Sequence, residues 1–356
     1  MVGPAAEVRR LRPGWDGGRA DGRSILAPPM EFSVEPHLRS APRAPVADDG
    51  TILFGRYLGH TGSIDWVRAG RSRLWQFLHA KRWQYASIIG RDCVTAVAIV
   101  DLGWATTAFA YLFDRLRRRV LADVSLVGLP RSSDLVADHA GPGARSCFRR
   151  GAIELSIEHA GEGWTVVVRS PALTLEANLV AGPIWATVCA IGRVPRGVAN
   201  CTHKTHGLTA TGNARAGDAD FRLDGCLGAL DHTSGLLARE TTWRWASGAS
   251  ASNAINLVEG FHEPFENALW RDGRVVAIGP VAFTRDATDP MATWRIRAND
   301  GSVDLVFVPE GVRSQNKNLG FATSRWIQPL GTYSGTVLGT AIDPLSGVLE
   351  DHAARW

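Results

Sequence analysis

The segment Leu230–Gly248, LDHTSGLLARETTWRWASG, places an acid, an imidazole and two indoles close together in the chain. Trp243 and Trp245 are two residues apart, so on a β-strand both side chains face the same way. Two indoles on one face form an aromatic wall, which can hold an apolar ligand or stabilise positive charge. Packing of both rings in a core is the alternative, and it stays open. Trp83 and Tyr85 in KRWQY are predicted to form another wall of the same pocket.

Asp231 and His232 precede this strand, in a segment that ends with Gly235. We expect a turn here, because neighbouring side chains can converge in a turn but point to opposite faces on a strand. In a turn, one of the two residues would donate a proton and the other would act as base or orienting group. The alternative is a carboxylate that binds turn amides, with His232 at the surface.

Residues 253–270, NAINLVEGFHEPFENALW, contain further carboxylates. Glu263 precedes Pro264 and is expected on the surface of a loop. Glu266 is followed closely by apolar and aromatic residues, so we expect burial to raise the pKa of its carboxyl and to make it a proton donor near neutral pH. Asn256, Asn267 and Trp270 are predicted to bind substrate beside it.

The sequence THKTH at residues 202–206 invites interpretation as a zinc site. On a strand, however, His203 and His206 face opposite sides, and no third ligand follows at a recognisable spacing. We therefore predict no metal. Instead, His203 or Lys204 is expected to point into the pocket and bind a polar group of the ligand.

Turn residues identify the elements that must position these side chains. Asp272-Gly273 and Asp300-Gly301 each separate two segments of alternating polarity, and Asp-Gly is a strong hairpin signal because both residues tolerate a positive φ. Residues 160–163 and 216–218 have the same character. The chain is therefore predicted to be mainly antiparallel β-sheet.

Many short strands joined by hairpins are typical of barrels and sandwiches. The length of 356 residues favours two such units, one over residues 51–200 and one over residues 201–356, after a flexible N-terminal arm at residues 1–50. Few helices are expected. Residues 63–80 could form a short one, with Trp66, Leu74, Phe77 and Leu78 on its buried side.

The segment Cys93–Phe113 is almost long and apolar enough to cross a bilayer. Asp101 and Gly103 interrupt it near the middle, where a carboxylate in hydrocarbon would cost several kcal/mol. Val, Thr, Ile and aromatic residues lie on both sides. We predict two buried strands joined by a tight turn, and no transmembrane segment.

Composition narrows the function classes. Apolar residues make up 45% of the chain and the formal net charge is only +4, which favours an ordinary globular protein. No basic stripe is interleaved with aromatic residues as a single-strand binder would need, so no nucleic-acid partner is expected. The five cysteines are widely spaced and no secretion signal is evident, so free thiols and a cytoplasmic location are expected. No P-loop, GxGxxG, GxSxG or HExxH motif is present, and no cofactor is predicted.

Several motifs together resemble family 2804 of the domains of unknown function, over roughly residue 50 to the end: KRWQYASI, DLGW, LDHTSGLLARETTWRWASG, ENALWRDG, DPMATWRIRANDGSVDLVFVPEG, LGTYSG and GVLEDHAARW. The family is distantly similar to the hydroxyneurosporene synthase group, which includes carotenoid 1,2-hydratases. That similarity implies two calycin-like β-barrels side by side. It also implies that Asp231 or Glu266 protonates an alkene, that the tryptophans stabilise a carbocation and that His232 holds a water.

Three interpretations follow. The first is a cofactor-independent lyase, hydratase or isomerase that acts on an apolar or partly polar small molecule. The second is a lipocalin-like protein that binds a lipid, terpenoid or sugar-like ligand without chemistry. The third is a structural or partner-binding β protein. The oligomeric state cannot be read from the sequence.

Overall fold

The computed structural model describes residues 38–129, 136–262, 264–286, 288–318 and 320–356. Most of the predicted arm lies outside these residues, as does Glu263. Residues 38–50 are largely irregular and lead into the first strand, and Val46 is buried beneath it in a cluster with Tyr57.

Within the described residues, twelve strands form a first antiparallel sheet. They are β1 (Gly55–Leu58), β2 (Ala80–Ile89), β3 (Cys93–Asp101), β4 (Thr106–Asp114), β5 (Arg119–Gly128), β6 (Arg145–Arg150), β7 (Ile153–Ala160), β8 (Gly163–Arg169), β9 (Thr174–Arg193), β10 (Ala199–Ala216), β11 (Ala219–Arg222) and β12 (Cys226–Leu236). Their order is β5-β4-β3-β2-β12-β10-β9-β8-β7-β6, with β1 paired to β9 and β11 to β10. The sheet curls into a nearly closed barrel around an apolar core that includes Val97, Phe148 and Leu175.

Nine strands of the described residues form a second antiparallel sheet, which is a half-barrel. They are β13 (Glu240–Ala249), β14 (Asn253–Glu259), β15 (Ala268–Arg271), β16 (Arg274–Ala277), β17 (Val281–Thr284), β18 (Trp294–Ala298), β19 (Val303–Asn318), β20 (Thr323–Val337) and β21 (Thr340–Arg355). The order is β16-β15-β14-β13-β21-β20-β19-β18-β17. The predicted mainly antiparallel fold of two packed curved sheets is therefore confirmed.

The predicted turns lie where the sequence places them. Asp272 and Gly273 have φ angles of 52° and 68° between β15 and β16, and Gly301 has a φ of 75° between β18 and β19. These are left-handed conformations, which glycine adopts without the steric cost that a Cβ imposes. The hairpins at Gly161 and Gly217 follow the same rule.

The long apolar segment forms the hairpin β3–β4, with Asp101 paired to Thr106 across it. Asp101 accepts a hydrogen bond of 2.7 Å from the backbone N–H of Gly103, which closes the turn. Among the described residues, none of the helices has the length and hydropathy needed to cross a membrane.

The prediction for residues 63–80 is wrong in its detail. A 3-10 helix (Val67–Ala69) and one α-helix of the described residues, α1 (Arg73–His79), occupy this region. Trp66 is buried as expected, but Leu74, Phe77 and Leu78 are exposed. Gly70, with a φ of 75°, ends the first helix and prevents one continuous amphipathic face.

The division into units at residue 200 stays a prediction. The strands of the first sheet extend to Leu236 and those of the second begin at Glu240. Three strands of the first sheet, β10, β11 and β12, therefore contain residues of the predicted second unit.

The two sheets pack against each other through apolar and charged contacts. Phe113 of the first sheet and Leu330 of the second share one buried cluster. Arg115 binds Glu310 through two hydrogen bonds of 2.8 and 2.6 Å, and the buried guanidinium of Arg313 binds Asp123 in the same way. In each pair, two hydrogen bonds join the guanidinium to the carboxylate, so the positive and the negative group are both satisfied between the sheets.

Gly311 provides a test of this packing, because a Cβ there would lie 2.4 Å from Cε2 of Phe113. The Phe113 ring is fully buried and cannot move away. We expect Gly311→Ala to lower the free energy of unfolding by about 1–3 kcal/mol, measured by urea denaturation. At Gly279 the nearest atom to a new Cβ is 3.7 Å away, so Gly279→Ala is the matched control and should change stability much less. Equal effects of the two substitutions would contradict the proposed contact.

Candidate active site

The register of three neighbouring strands brings the charged residues together. Lys204 of β10 pairs with Asp231 of β12, and Asp231 pairs with Tyr85 of β2. Directly paired residues in antiparallel strands point to the same face of the sheet. Lys204, Asp231 and Tyr85 therefore form a row on the face that meets the second sheet.

A buried cluster of charges lies at the end of this row. Nζ of Lys204 is 2.7 Å from Oδ2 of Asp231 and 2.9 Å from Oε2 of Glu266. Asp231 belongs to the first sheet, whereas Glu266 belongs to a 3-10 turn (Pro264–Glu266) between β14 and β15 of the second. The lysine thus links the two sheets through their carboxylates.

The ion pairs set the protonation of the cluster. Burial alone lowers the pKa of Lys204, but attraction to Asp231 and Glu266 outweighs it and raises that pKa above the ordinary value. Burial likewise raises the pKa of Glu266, yet Lys204 and His262 lower it to about 2. Our expectation that Glu266 is a proton donor near neutral pH is therefore wrong, because the buried partner is a cation rather than an apolar wall.

Asp231 is surrounded by hydrogen-bond donors. Its Oδ1 accepts from the hydroxyls of Thr202 at 3.2 Å and Thr233 at 3.0 Å, and its Oδ2 accepts from Nε1 of Trp83 at 3.3 Å. The Lys204 ammonium completes the set. Four donors on three strands of the first sheet therefore surround the two oxygens of this one carboxyl group.

The turn that carries Glu266 is held from both sheets. Arg56 of β1 donates hydrogen bonds of 2.5 Å to the carbonyl oxygens of Pro264 and Phe265. Asn256 of β14 donates to the carbonyl oxygen of Glu266 at 3.1 Å and accepts from Nε1 of Trp245 at 2.8 Å. One buried amide thus orients both an aromatic wall and the turn.

His262 supports the other oxygen of the same carboxylate. Its Nε2 lies 3.0 Å from Oε1 of Glu266, and its side chain is fully buried. A Cβ at Gly192 would lie 2.6 Å from Nδ1 of His262, so the missing side chain of this β9 residue makes room for the ring.

The charged cluster opens into a cleft of about 220 Å³ between the sheets. Trp83 and Trp243 stack across it with ring centroids 6.2 Å apart, and Tyr85 meets Trp245 edge to face at 5.7 Å. Nζ of Lys204 lies 5.5 Å from the centre of the Trp245 ring. Predicted residues that line the cleft are Trp83, Tyr85, Lys204, Asp231, Trp243, Trp245 and Glu266.

Two predicted residues lie on the opposite face of the first sheet. β12 continues through Asp231 and His232 without a turn, so the expectation that their side chains converge is wrong. Nε2 of His232 donates to the carbonyl oxygen of Ala137 at 2.8 Å, and Nε2 of His203 accepts from the backbone N–H of Thr61 at 3.1 Å. Burial lowers the pKa of His232 to about 4 and that of His203 well below its ordinary range, so both rings are neutral.

Three further predicted residues are buried away from the cleft wall. Asn256 acts through Trp245 and Glu266, as described above. Asn267 accepts from the backbone N–H of Val258 at 2.7 Å and donates to the carbonyl oxygen of Gly279 at 3.0 Å. Trp270 donates to the carbonyl oxygen of Ala186 at 3.0 Å. Their contacts are with the protein rather than with the cleft.

Several cleft residues were missed by sequence reasoning: Phe109, Phe261, Ser324, Trp326, Glu350 and His352. The last two are spaced by two residues in the C-terminal motif LEDHAARW, which indicates a shared strand face. In the sequence this motif contributes to the family resemblance alone.

Among the described residues, one group has the proximity needed to ligate a metal ion. Cys189, Cys201 and His203 are buried, and their ligand atoms lie within 4.8 Å of one another. The histidine pair considered from the sequence does not converge, because His206 packs against Trp270 with ring centroids 4.6 Å apart. That pair therefore points to opposite sides, as predicted.

The Glu266 carboxyl predicts a specific pH dependence of stability. Because its pKa is lowered from 4.5 to about 2 by folding, its stabilisation is present above pH 4.5 and is lost as the pH falls towards 2. We expect Glu266→Gln to lower the free energy of unfolding at pH 7 by roughly 3 kcal/mol, and the difference to vanish near pH 2.

Urea denaturation at a series of pH values measures this difference. Glu158→Gln is the control, because Glu158 pairs with Arg145 at an exposed position where ion pairs contribute little. A difference between wild type and Glu266→Gln that does not depend on pH would refute the assignment.

Comparison with known proteins gives a fold relationship. The crystal structure of CghA superposes with a TM-score of 0.52 at 13% identity, over 89% of this chain and 97% of that one. Kievitone hydratase from Nectria haematococca matches with a TM-score of 0.49 at 13% identity, over 78% of this chain and 89% of the other. At this identity the likeness to CghA concerns the fold alone. Comparison with curated proteins gives no match.

A family model described as a domain of unknown function, DUF2804, matches residues 62–356. This match covers the motifs quoted above, both walls of the cleft and the whole charged cluster. The chain therefore belongs to the DUF2804 family.

Proposed function

We propose that the protein is a hydratase- or lyase-type enzyme that adds or removes water on a small molecule with an apolar skeleton. The observation that carries this proposal is the buried Lys204–Asp231–Glu266 cluster at the end of an aromatic cleft. Proton transfer by side chains suffices for such a reaction.

The energetic cost of the cluster supports a functional role. Removing a charged group from water costs several kcal/mol, and replacement of a buried ion pair by apolar residues is often neutral or stabilising. This chain nevertheless keeps three charges between its sheets, and all three line the cleft. Strongly perturbed charges at such a position are typical of catalytic sites.

The arrangement assigns a different role to each group. Asp231, as a carboxylate, takes a proton from a carbon atom of the substrate. The Lys204 ammonium stabilises the negative charge that develops on a neighbouring oxygen, as at an enolate. Glu266 keeps Lys204 charged and in place, because it supplies the second carboxylate.

This chemistry favours a substrate in which a carbonyl group activates the adjacent C–H bond. A β-hydroxyketone fits: loss of the α-proton and of the hydroxyl yields an enone, and the reverse reaction is hydration. The protonation of an unactivated alkene, which the family resemblance implies, would need a neutral carboxylic acid, whereas Lys204 and His262 lower the pKa of the Glu266 carboxyl. The stacked indoles would hold the apolar skeleton.

A binding protein without chemistry is the second candidate, and the largely aromatic lining of the cleft favours it. The two candidates differ in the role of Asp231. An enzyme needs this carboxylate for turnover, whereas a binding protein depends on the tryptophans for affinity.

Asp231→Asn tests the proposal, since it keeps the shape of the side chain and removes the base. With a panel of aryl β-hydroxyketones and their enones in D2O, followed by NMR, we expect the wild type to exchange the α-proton and to form or consume enone. We expect Asp231→Asn to reduce both rates by about 10²–10⁴-fold, with ketone affinity retained.

Trp243→Leu is the companion variant, for which weaker ketone binding is expected. Asp138→Asn, at a partly exposed aspartate outside the cleft, is the control for a general effect of charge removal. Binding of the ketones without exchange or turnover in the wild type would favour the binding protein instead.

A further inference from the structure

We propose that His352, oriented by Glu350, is the second acid–base residue of the cleft: it protonates the leaving hydroxyl and, in reverse, takes a proton from the attacking water. This proposal rests on the proposed function and adds the group that handles the oxygen end of the substrate. His352 lies on β21 of the second sheet, opposite the wall that carries Asp231.

His352 lies between Ser324 and Glu350 in a chain of polar contacts. Nε2 of His352 is 3.0 Å from Oγ of Ser324, and Nδ1 of His352 is 3.4 Å from Oε1 of Glu350. All three residues line the cleft. The imidazole thus contacts a carboxylate through Nδ1 and a hydroxyl through Nε2. In this arrangement an imidazole can accept a proton and release it again.

Glu350 is itself held by two other donors. Trp243 donates from Nε1 to Oε1 at 2.9 Å, and Gln328 donates from Nε2 to Oε2 at 3.1 Å. These contacts keep the carboxylate in place beside Nδ1. A fixed carboxylate beside Nδ1 selects the orientation of the ring.

The indole pair separates the two acid–base groups. Nε1 of Trp83 contacts Asp231 at 3.3 Å, Trp83 stacks on Trp243, and the Trp243 ring lies 4.1 Å from the His352 ring, centre to centre. A substrate that lies along the two indoles therefore has Asp231 near one end and His352 near the other. The base and the acid are placed on different atoms of the same molecule.

The proton balance of the reaction needs such a second group. In the elimination, the α-proton passes to Asp231, the electron pair of the C–H bond forms the double bond, and the C–O bond breaks. The departing hydroxide takes a proton from the His352 imidazolium and leaves as water. Exchange of one proton from Asp231 to solvent and of one from solvent to His352 restores both groups.

A purely structural role for these residues makes a different prediction. In that case the contact between Ser324 and His352 would only tie β20 to β21, and its loss would lower stability without separating one chemical step from another. α-Proton exchange and elimination can be measured separately. Exchange requires Asp231 but does not require departure of the hydroxyl, so a residue that acts on the leaving group affects elimination alone.

The experiment compares wild type, His352→Gln and Glu350→Gln with an aryl β-hydroxyketone in D2O, with exchange and enone formation both followed by NMR. We expect His352→Gln to keep α-proton exchange within about threefold of wild type and to lose enone formation by about 10²-fold or more. Glu350→Gln should show the same pattern more weakly. Asp138→Asn, outside the cleft, is the control and should leave both rates unchanged.

Other outcomes overturn the proposal. If His352→Gln retains enone formation, or if it loses exchange and elimination together while thermal unfolding shows an intact fold, His352 does not act on the leaving group. His352→Asn is measured in parallel, so that a folding defect of one variant does not decide the result. Failure of the wild type to catalyse either step would instead refute the proposed function, and this proposal with it; the two failures are therefore distinguishable.

Discussion

The buried ammonium of Lys204 is the constraint on which the rest of this site depends. It lies between carboxylates from two different sheets, so neither sheet can satisfy it without the other. Removal of its partners would strongly destabilise the protein, because an unpaired charge would then be buried between the sheets. The closure of the two sheets, the conformation of the 3-10 turn and the lowered pKa of Glu266 are therefore coupled through one cation.

The supporting residues follow from this requirement. Arg56 and Asn256 hold the turn so that Glu266 reaches the lysine, and His262 contacts the oxygen that the lysine leaves open. Aromatic rings line the cleft beside these charges. Since the attraction between charges grows as water is excluded, aromatic lining and ion pairing reinforce each other.

The alternation of side chains along the strands divides the first sheet into two chemical environments. On one face Lys204 and Asp231 meet the second sheet, and on the other His203 and His232 are buried and neutral. A shift of one residue in register would exchange these sets, because the side chains of a strand alternate in direction. The direct pairings of β10 with β12, and of β12 with β2, thus determine which residues can meet a ligand.

The sequence by itself determined the local features. Asp-Gly turns specified the hairpins, the interruption at Asp101 separated β3 from β4, and the spacing of Trp243 and Trp245 placed both indoles on one face. These local features depend on residues that are neighbours in the chain, because turn propensity and the alternation of side chains along a strand are properties of short segments. The motifs also identified the family correctly.

Only the tertiary structure decided how residues far apart in the sequence combine. It joined Glu266 to Lys204, which reversed the expected direction of the Glu266 pKa shift, and it separated His232 from Asp231 by continuing the strand. It also brought His352 to Trp243, so that a C-terminal strand faces the cleft. The physical reason is that a pKa depends on the charges within a few ångströms and not on sequence neighbours, and strand pairing across two sheets sets those distances.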